Sequence, residues 1–435
     1  MNYSQAIGIL HELQLFGAKP GLERAQKLAA ALGDPQKKLR FIHIAGTNGK
    51  GSVCAMLESI YRQAGWRVGL FTSPHLVAFG ERIQVNRQLI SEADITRLVA
   101  DQMRSILGNL QPPSKEDHPT FFEVVTAMAL QYFAEQKCDL VIWETGLGGR
   151  LDATNIVTPL ASVITNIQFD HERWLGHTLA NIASEKAGII KPGVPAITGA
   201  NEPEALAVIQ EIARRKQSPL TLVTPDQTRH RPLDEIELPL LGWHQRLNAA
   251  LALATVKNLQ ATLPVSDDAI RDGLSQVQWP GRMQLVKLPG GRKILLDGAH
   301  NPGGAATLRA ALSENFPGTQ PALILGVLED KNWHLMCEIL APLARRVLCV
   351  PVSSERTTTS EMLAGICQHA CPAAEVRACA SLADALCEVA NEPFMVIAGS
   401  LYLIGEAMEQ LHLATTPGGD ERGLNEWSAA ATSRA

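Results

Sequence analysis

One short segment limits the folds open to this chain more than any other: FIHIAGTNGKGS, residues 41–52. An apolar, β-branched run leads into a glycine-rich turn that ends at Ser52, and apolar residues then recur at helical spacing from Val53 until Gly65. This pattern predicts a buried strand, a phosphate-type loop and an amphipathic helix. It therefore predicts an α/β fold in which the loop lies at the carboxyl end of a strand.

The chemistry of this loop favours a bound triphosphate over a glycine-rich turn that binds nothing. Glycines let backbone N–H groups approach phosphate oxygens, and the N-terminus of the following helix adds its positive dipole end. Lys50 supplies a charge for the outer phosphates, and Ser52 supplies a hydroxyl for magnesium. The residues that we predict to bind the ATP phosphates are Thr47, Asn48, Gly49, Lys50, Gly51 and Ser52.

Similar buried, apolar runs alternate with helical patterns along the chain. They begin at Phe41, Arg67, Asp139, Ala161, Val194, Lys293, Ala322, Val347 and Phe394. Runs that are apolar throughout are typical of parallel sheets covered on both faces. The 435 residues favour more than one domain. We predict a P-loop-type domain with a mostly parallel sheet at 1–281, a smaller Rossmann-like α/β domain at 282–412, and a disordered tail at 413–435.

Charge and composition argue against several classes of partner. A net charge of −5 disfavours nucleic acid. No apolar run reaches the roughly 18 residues of a membrane span, and the N-terminal residues lack a secretory pattern. The eight cysteines include no CxxC pair, so we expect a reduced, cytoplasmic protein, and we take a monomer as the default. Cys367, His369 and Cys371 lack the second half that a metal site needs.

Polar residues follow several of the predicted strands. Ser73 follows the second strand, Glu144 ends the third, and His171 comes shortly after the fourth. Ligands of parallel sheets bind beyond the carboxyl ends of the strands. Glu144 resembles the acid that reaches magnesium in P-loop enzymes. His171 alone is better read as a capping or core histidine. His75 is a candidate for orienting a substrate, but the sequence gives it no firm role.

Several long segments occur together in one order: GTNGKGS, TSPHL, ERIQVN, WETGLGGRLDATN, FDHERWLGHT and IASEKAGIIKPG. In this set the chain resembles the folylpolyglutamate synthase and dihydrofolate synthase family of the Mur ligase superfamily, from about residue 20 to 410. The resemblance implies an acid–amino-acid ligase that uses ATP to add L-glutamate to dihydropteroate, to tetrahydrofolate polyglutamates or to both. The reaction would proceed through an acyl phosphate.

The resemblance also implies roles for single residues. Ser73, Glu144 and His171 would hold Mg²⁺, with a pair of ions expected, and Lys186 would be carbamylated. An unmodified Lys186 paired to an acid stays open beside the carbamate. The residues that would contact the pterin are Thr120, Leu151, Asp152 and Ala153. Those that would contact ATP beyond the loop are Asn248, Arg282, Asp297 and His300. The catalytic set is Lys50, Glu144, His171 and Lys186.

Purely structural roles for some of these residues, and other functions for the chain, stay open at this point. Asn248 is also readable as a helix cap, Arg282 as a solvated hinge residue and Asp297 as a turn former. The alternative functions are a Mur-type ligase for a cell-wall or other peptide acceptor, a small-molecule kinase, and a nucleotide-binding module without activity. Gly51, inserted between the lysine and the hydroxyl residue, argues against the kinase. The preferred folate and the length of the glutamate chain are not readable from the sequence.

Overall fold

The structure is a computed structural model that describes residues 1–17, 19–109, 118–414 and 419–426. Within these ranges the strands form two sheets, one of eight strands and one of six.

The first sheet is mostly parallel and uses residues from the first part of the chain. Its strands are β1 (Phe41–Ala45), β2 (Val68–Phe71), β3 (Ile83–Val85), β4 (Gln88–Leu89), β5 (Leu140–Glu144), β6 (Ala161–Ile164), β7 (Ala196–Thr198) and β8 (Leu220–Leu222). They lie in the order β4-β3-β2-β5-β1-β6-β7-β8. Among the described residues of this sheet, the antiparallel pairs are β3 with β2 and β3 with β4, and the other pairs are parallel. The strand that precedes the glycine-rich loop therefore lies inside the sheet, between β5 and β6.

Helices cover both faces of this sheet. They are α1 (Tyr3–Gln14), α2 (Glu23–Ala31), α3 (Lys50–Gln63), α4 (Glu92–Asn109), α5 (Phe121–Glu135), α6 (Glu172–Leu175), α7 (Leu179–Lys186), α8 (Pro203–Arg215), α9 (Trp243–Leu259) and α10 (Asp267–Ser275). Ile42 and Ile44 of β1 pack with α3, α9 and α10, whereas Phe41 packs with α1, α2, α4 and α5 on the other face. This alternation follows from the period of two in a strand, and each fully buried large apolar side chain contributes about 1.5–3 kcal/mol.

The second sheet has the same layered plan. Its strands are β9 (Gln284–Lys287), β10 (Lys293–Asp297), β11 (Ala322–Leu325), β12 (Arg346–Cys349), β13 (Glu375–Ala378) and β14 (Phe394–Ala398), in the order β13-β12-β11-β14-β10-β9. The helices are α11 (Pro302–Asn315), α12 (Trp333–Leu340), α13 (Ser360–Ala370), α14 (Leu382–Glu388) and α15 (Leu401–Gln410). The first three pack on one face, and the last two on the other. The predicted boundary at 281–282 falls in the connection between α10 and β9.

All nine predicted strands are present, and the fold class is confirmed. The strands that the sequence did not reveal are β3, β4, β8, β9 and β13. Four of them, β4, β8, β9 and β13, are edge strands, and β3 lies next to an edge. The four edge strands are partly exposed, so they lack an apolar run.

Part of the segment that we expected to be disordered is ordered. Residues 419–426 include a 3₁₀ turn, Glu421–Asn425, that docks against the first domain. Its carboxylate Glu421 accepts hydrogen bonds from the Tyr3 hydroxyl and the Phe79 amide at 2.9 and 2.6 Å. The expectation of disorder is therefore wrong for 419–426, because polar side chains that composition marks as solvated find buried partners. Residues 415–418 and 427–435 of the expected tail lie outside the described residues.

No helix in the described residues is both long enough and apolar enough to cross a membrane.

Candidate active site

A cavity of about 640 Å³ lies between the two sheets. The glycine-rich loop and the carboxyl ends of the first sheet form one side, and residues after β10 and β11 form the other. Every site residue predicted from the sequence lines it: Thr47, Asn48, Gly49, Lys50, Gly51, Ser52, Ser73, Thr120, Glu144, Leu151, Asp152, Ala153, His171, Lys186, Asn248, Arg282, Asp297 and His300. The topology explains this convergence, since parallel strands end at the same edge. We call this space the interdomain cavity.

The loop after β1 needs glycine at two points. Gly46 has φ of +149°, and a Cβ atom there would lie 1.9 Å from the Thr165 hydroxyl oxygen. Gly49 has φ of +87° and is the N-cap of α3. The Lys50 ammonium donates hydrogen bonds to the carbonyl oxygens of Gly46 and Thr47 at 3.1 and 3.2 Å. The loop therefore holds a cation at the N-terminus of a helix, an arrangement suited to phosphate.

Glu144 ends β5 directly beside this loop. Residue 44 of β1 and Glu144 are register partners, and the Ser73 amide donates to the Glu144 carboxylate at 3.1 Å. Burial raises the pKa of Glu144, although Lys50 opposes the shift. Burial disfavours the charged form of Glu144, and a bound magnesium ion would compensate that charge. Magnesium prefers oxygen ligands, such as this carboxylate and the neighbouring Ser73 hydroxyl, and keeps several waters. No cluster of three His, Cys, Asp or Glu side chains fit for a metal occurs in the described ranges, so a site here would depend on Ser73 as well.

His171 reaches the cavity in a polar group that joins the two domains. Its ring lies 3.4 Å from the Lys331 ammonium, which forms an ion pair with Asp170 at 2.6 Å. Burial and the neighbouring ammonium of Lys331 lower the pKa of His171 to about 3, so its ring is neutral and able to ligate a metal. Burial would raise the pKa of Asp170, but Lys331 and His300 outweigh it and hold that pKa well below its usual range.

Lys186, the last residue of α7, is buried beneath the loop. Its amine donates to the Gly46 carbonyl at 2.8 Å. No carboxylate among the described residues lies within ion-pair distance of it, so the alternative of a lysine paired to an acid does not fit this geometry. Burial, reinforced by the nearby Lys50 charge, lowers the pKa of Lys186 to about 7.

The predicted pterin contacts form a separate wall. Thr120 caps α5 through the Glu123 amide, with the Glu123 carboxylate bonded back to the Thr120 amide. Asp152 accepts from the amides of Gly146 and Leu147 at 3.0 and 2.8 Å, which fixes the turn after β5. Leu151 is 46% exposed. This wall offers apolar surface with fixed backbone groups, as expected where a flat heterocycle binds.

The predicted nucleotide contacts come from α9 and from the second domain. Asn248 lies inside α9, and its amide oxygen faces Gly49, so it is no helix cap. Arg282 is half-buried rather than a solvated hinge residue, and its Nη1 has no hydrogen-bond partner in the described part of the chain. Asp297 does shape a turn, accepting from the Met283 and Ala299 amides, and it also lines the cavity. His300 lies 3.6 Å from Asp170.

Several lining residues were not predicted. They include Arg82, Asp170, Lys331, Arg356, Tyr402, Asn425 and Glu426. Asp170 had a signal, because it directly precedes His171 at a strand end. The others come from the second domain, from the C-terminal segment or from the position before the short strand β3, where no short motif marks them.

Comparisons with known proteins agree with this architecture. Residues 44–228 match the Mur ligase middle domain, and residues 281–401 match the Mur ligase glutamate ligase domain. The chain is 41% identical over 365 residues to dihydrofolate synthase/folylpolyglutamate synthase of Bacillus subtilis, covering 79% of this chain and 84% of that protein. It is 34% identical to folylpolyglutamate synthase of Lacticaseibacillus casei, covering 94% and 99%.

A solved structure extends the comparison to bound molecules. Escherichia coli FolC in complex with DHPP and ADP superposes with a TM-score of 0.82 at 31% identity, covering 95% of this chain and 98% of that one. Two matching domains, relatives aligned over most of their length and one shared fold lead to the same assignment. The chain belongs to the folylpolyglutamate synthase/dihydrofolate synthase family of Mur ligases, enzymes that use ATP to form an amide bond.

Proposed function

We propose that this chain adds L-glutamate to dihydropteroate, to folates or to both, through an acyl phosphate made from ATP. The observation that carries the proposal is the interdomain cavity, in which the phosphate loop, the acid Glu144 and the wall around Thr120 share one space. The DHPP and ADP bound to the E. coli relative support a pterin acceptor and a nucleotide as ligands.

The chemistry requires activation of a carboxylate, because oxide is too poor a leaving group for direct amide formation. An acceptor carboxylate oxygen attacks the γ-phosphorus of ATP, the bond to the bridging oxygen breaks, and ADP leaves. The neutral amine of glutamate then attacks the acyl carbon, phosphate leaves, and the amine gives up a proton. The protein contributes positioning and charge to the first step, with Lys50 and Arg282 near the phosphates.

The polar residues at the carboxyl ends of β2, β5 and β6 fit a magnesium ion. Glu144 and Ser73 would supply oxygen ligands, and the neutral ring of His171 lines the same cavity. When bound, magnesium neutralises charge on the phosphoryl group being transferred. Lys186, with its lowered pKa, would react as the free amine with carbon dioxide and give a carbamate, which replaces a buried cation by an anion that Lys50 can stabilise.

The second domain supplies cations for the amino acid. Lys331 and Arg356 reach the cavity from the ends of β11 and β12. L-Glutamate carries two carboxylates, and ammonium and guanidinium groups bind such anions well in a space shielded from water. Closure around the substrates would also protect the acyl phosphate from hydrolysis.

The compartment, the class of partner and the oligomeric state are also proposals. None of the eight cysteines, all in the described part, forms a disulfide, which supports a reducing compartment such as the cytoplasm. The net charge of −5 supports small-molecule substrates rather than nucleic acid, and we propose a monomer without a membrane partner.

A phosphate-release assay tests the function. ATP and L-glutamate are combined with dihydropteroate, tetrahydrofolate or a UDP-sugar peptide, and the product is identified by mass spectrometry. We expect glutamate-dependent ADP release with at least one pterin acceptor. Absence of turnover with both pterins would contradict the proposal, and turnover with only the sugar nucleotide would assign a Mur-type acceptor instead.

A further inference from the structure

Arg82 is a buried cation that faces the interdomain cavity and has no carboxylate partner. Its side chain lines the cavity, although the residue is only 3% exposed. None of the ion pairs in the described part of the chain includes it. A buried charge without a counter-ion is costly, and such groups are kept where a ligand supplies the opposite charge.

Neutral groups fix the position of the guanidinium. Its Nε donates to His75 Nδ1 at 2.8 Å, and its Nη2 donates to the Asn425 amide oxygen at 2.6 Å. Since an arginine can only donate, Nδ1 accepts, and the proton of His75 lies on Nε2, which donates to the Glu421 carbonyl at 2.9 Å. Burial and the Arg82 charge hold the pKa of His75 well below its usual range, consistent with this neutral tautomer. These contacts orient the cation without compensating its charge.

The surroundings of Arg82 indicate which anion it meets. The guanidinium lies over the Phe121 ring, 5.3 Å from its centroid, directly after the predicted pterin contact Thr120. Glu144 is close enough to act on its charge electrostatically. Arg82 thus lies beside Phe121, next to the wall proposed for the pterin, and shares the cavity with the acid proposed for the metal. An acceptor bound to that wall would present its terminal carboxylate here.

We propose that Arg82 binds the acceptor carboxylate that receives the phosphoryl group, and that His75 and Asn425 are its positioning residues. This inference rests on the proposed function and adds a residue to its acceptor site. One carboxylate oxygen accepts from the guanidinium while the other attacks the phosphorus, so no proton is transferred. A planar guanidinium suits this task because it can hold one oxygen of a carboxylate in a defined orientation.

Acceptor binding tests the inference without turnover. Tetrahydrofolate and dihydropteroate are titrated into the wild type, Arg82→Ala and Arg82→Lys, followed by steady-state KM values for all three substrates. We expect acceptor affinity to fall about 10- to 100-fold in Arg82→Ala, as for a lost charge-assisted hydrogen bond, with the KM for ATP and glutamate unchanged. Arg82→Lys should recover part of the loss.

The matched control is Arg87→Ala. Arg87 is also an inward arginine of the same segment, but it donates to the Gln278 carbonyl at 3.0 Å, stacks on Trp279 and is absent from the cavity lining. Its replacement should leave acceptor affinity unchanged.

Asn425→Asp provides a second, independent variant. The new carboxylate would pair with Arg82 and compete with the substrate, so the KM for the acceptor should rise, although the hydrogen bond from the Asn425 amide to the His75 carbonyl is lost. This variant decides the question if Arg82→Ala does not fold. Unchanged acceptor affinity in both variants, or a change confined to the KM for glutamate, would overturn the inference. A wild type that binds and turns over no pterin would instead overturn the proposed function.

Discussion

The buried amine of Lys186 allows a prediction with a worked magnitude. Its pKa falls from 10.5 to about 7, chiefly through burial. A shift of this size corresponds to about 5 kcal/mol against the charged form. At pH 7.5 about three quarters of the Lys186 amines are neutral, compared with roughly one in a thousand for an ordinary lysine. The group that must be uncharged to react with carbon dioxide is therefore several hundred times more abundant at this position.

Lys186→Met converts this shift into a difference in stability. Because the folded-state pKa lies below the unfolded one, the unfolded chain binds more protons between pH 7 and 10.5, and wild-type stability due to this group rises with pH across that window. Linkage gives a cost to the wild type of about 4 kcal/mol at pH 7 and about 1 kcal/mol at pH 10. The free energy of unfolding of the variant relative to the wild type should therefore fall by about 3 kcal/mol between these pH values.

Denaturant unfolding in carbon dioxide-free buffer measures this change. Lys191→Met is the matched control, because Lys191 also donates to a backbone carbonyl, that of Asn155 at 3.0 Å, but is only half-buried. Its pH-dependent difference should be clearly smaller. A difference for Lys186→Met that does not vary with pH would refute the electrostatic argument.

The same variants test the carbamate. In ¹³C-bicarbonate at pH 8, ¹³C NMR of the wild type should show one carbamate signal that is missing from Lys186→Met and retained in Lys191→Met. A wild-type spectrum without that signal, with magnesium and ATP present, would refute carbamylation.

Three further predictions concern the loop and the domain contact. Lys50→Ala should lower kcat for ADP release by about 10²-fold or more while acceptor binding, measured by titration, is kept. Gly51→Ala should weaken ATP binding, since its Cβ would lie 2.8 Å from the Trp279 indole, and adding Trp279→Ala should recover part of the affinity. Lys331→Met should lower the free energy of unfolding by about 3–5 kcal/mol because the buried Asp170 carboxylate loses its ammonium partner, and denaturant unfolding should show partial recovery on adding Asp170→Asn.

The strands that the sequence predicts are those buried on both faces. KILLD of β10 and FMVIA of β14 are apolar almost throughout because helices cover the sheet on both sides. The edge strand EVRA of β13 has two exposed charged residues, and its pairing with β12 is decided by the neighbouring strand rather than by its own pattern. The hydrophobic pattern of a sequence indicates which segments are buried. A strand that is paired but exposed therefore cannot be recognised from this pattern.

The site residues also divide into those that the sequence predicts and those that it does not. The loop residues and Glu144 are readable because each follows a buried strand of the same parallel sheet, and such strand ends meet at one edge. Arg82 precedes the short strand β3, and its partner Asn425 lies 343 residues further along the chain. No local spacing connects the two, so only the packed structure brings them together.

The charges around the cavity support a site built for anions that arrive with the substrates. Lys50, Arg82 and Arg282 all act on Glu144 electrostatically, yet none of the three forms an ion pair in the part of the chain that the structure describes. The hydrogen bonds of Lys50 go to carbonyl oxygens, and those of Arg82 go to an imidazole and an amide. Such neutral partners orient a cation but leave its charge available. Arg82 is buried and Lys50 and Arg282 are half-buried, so leaving them without ion pairs reduces stability. Binding of triphosphate and carboxylate offsets that cost. Saturating ATP should accordingly raise the thermal midpoint of the wild type more than that of Lys50→Ala.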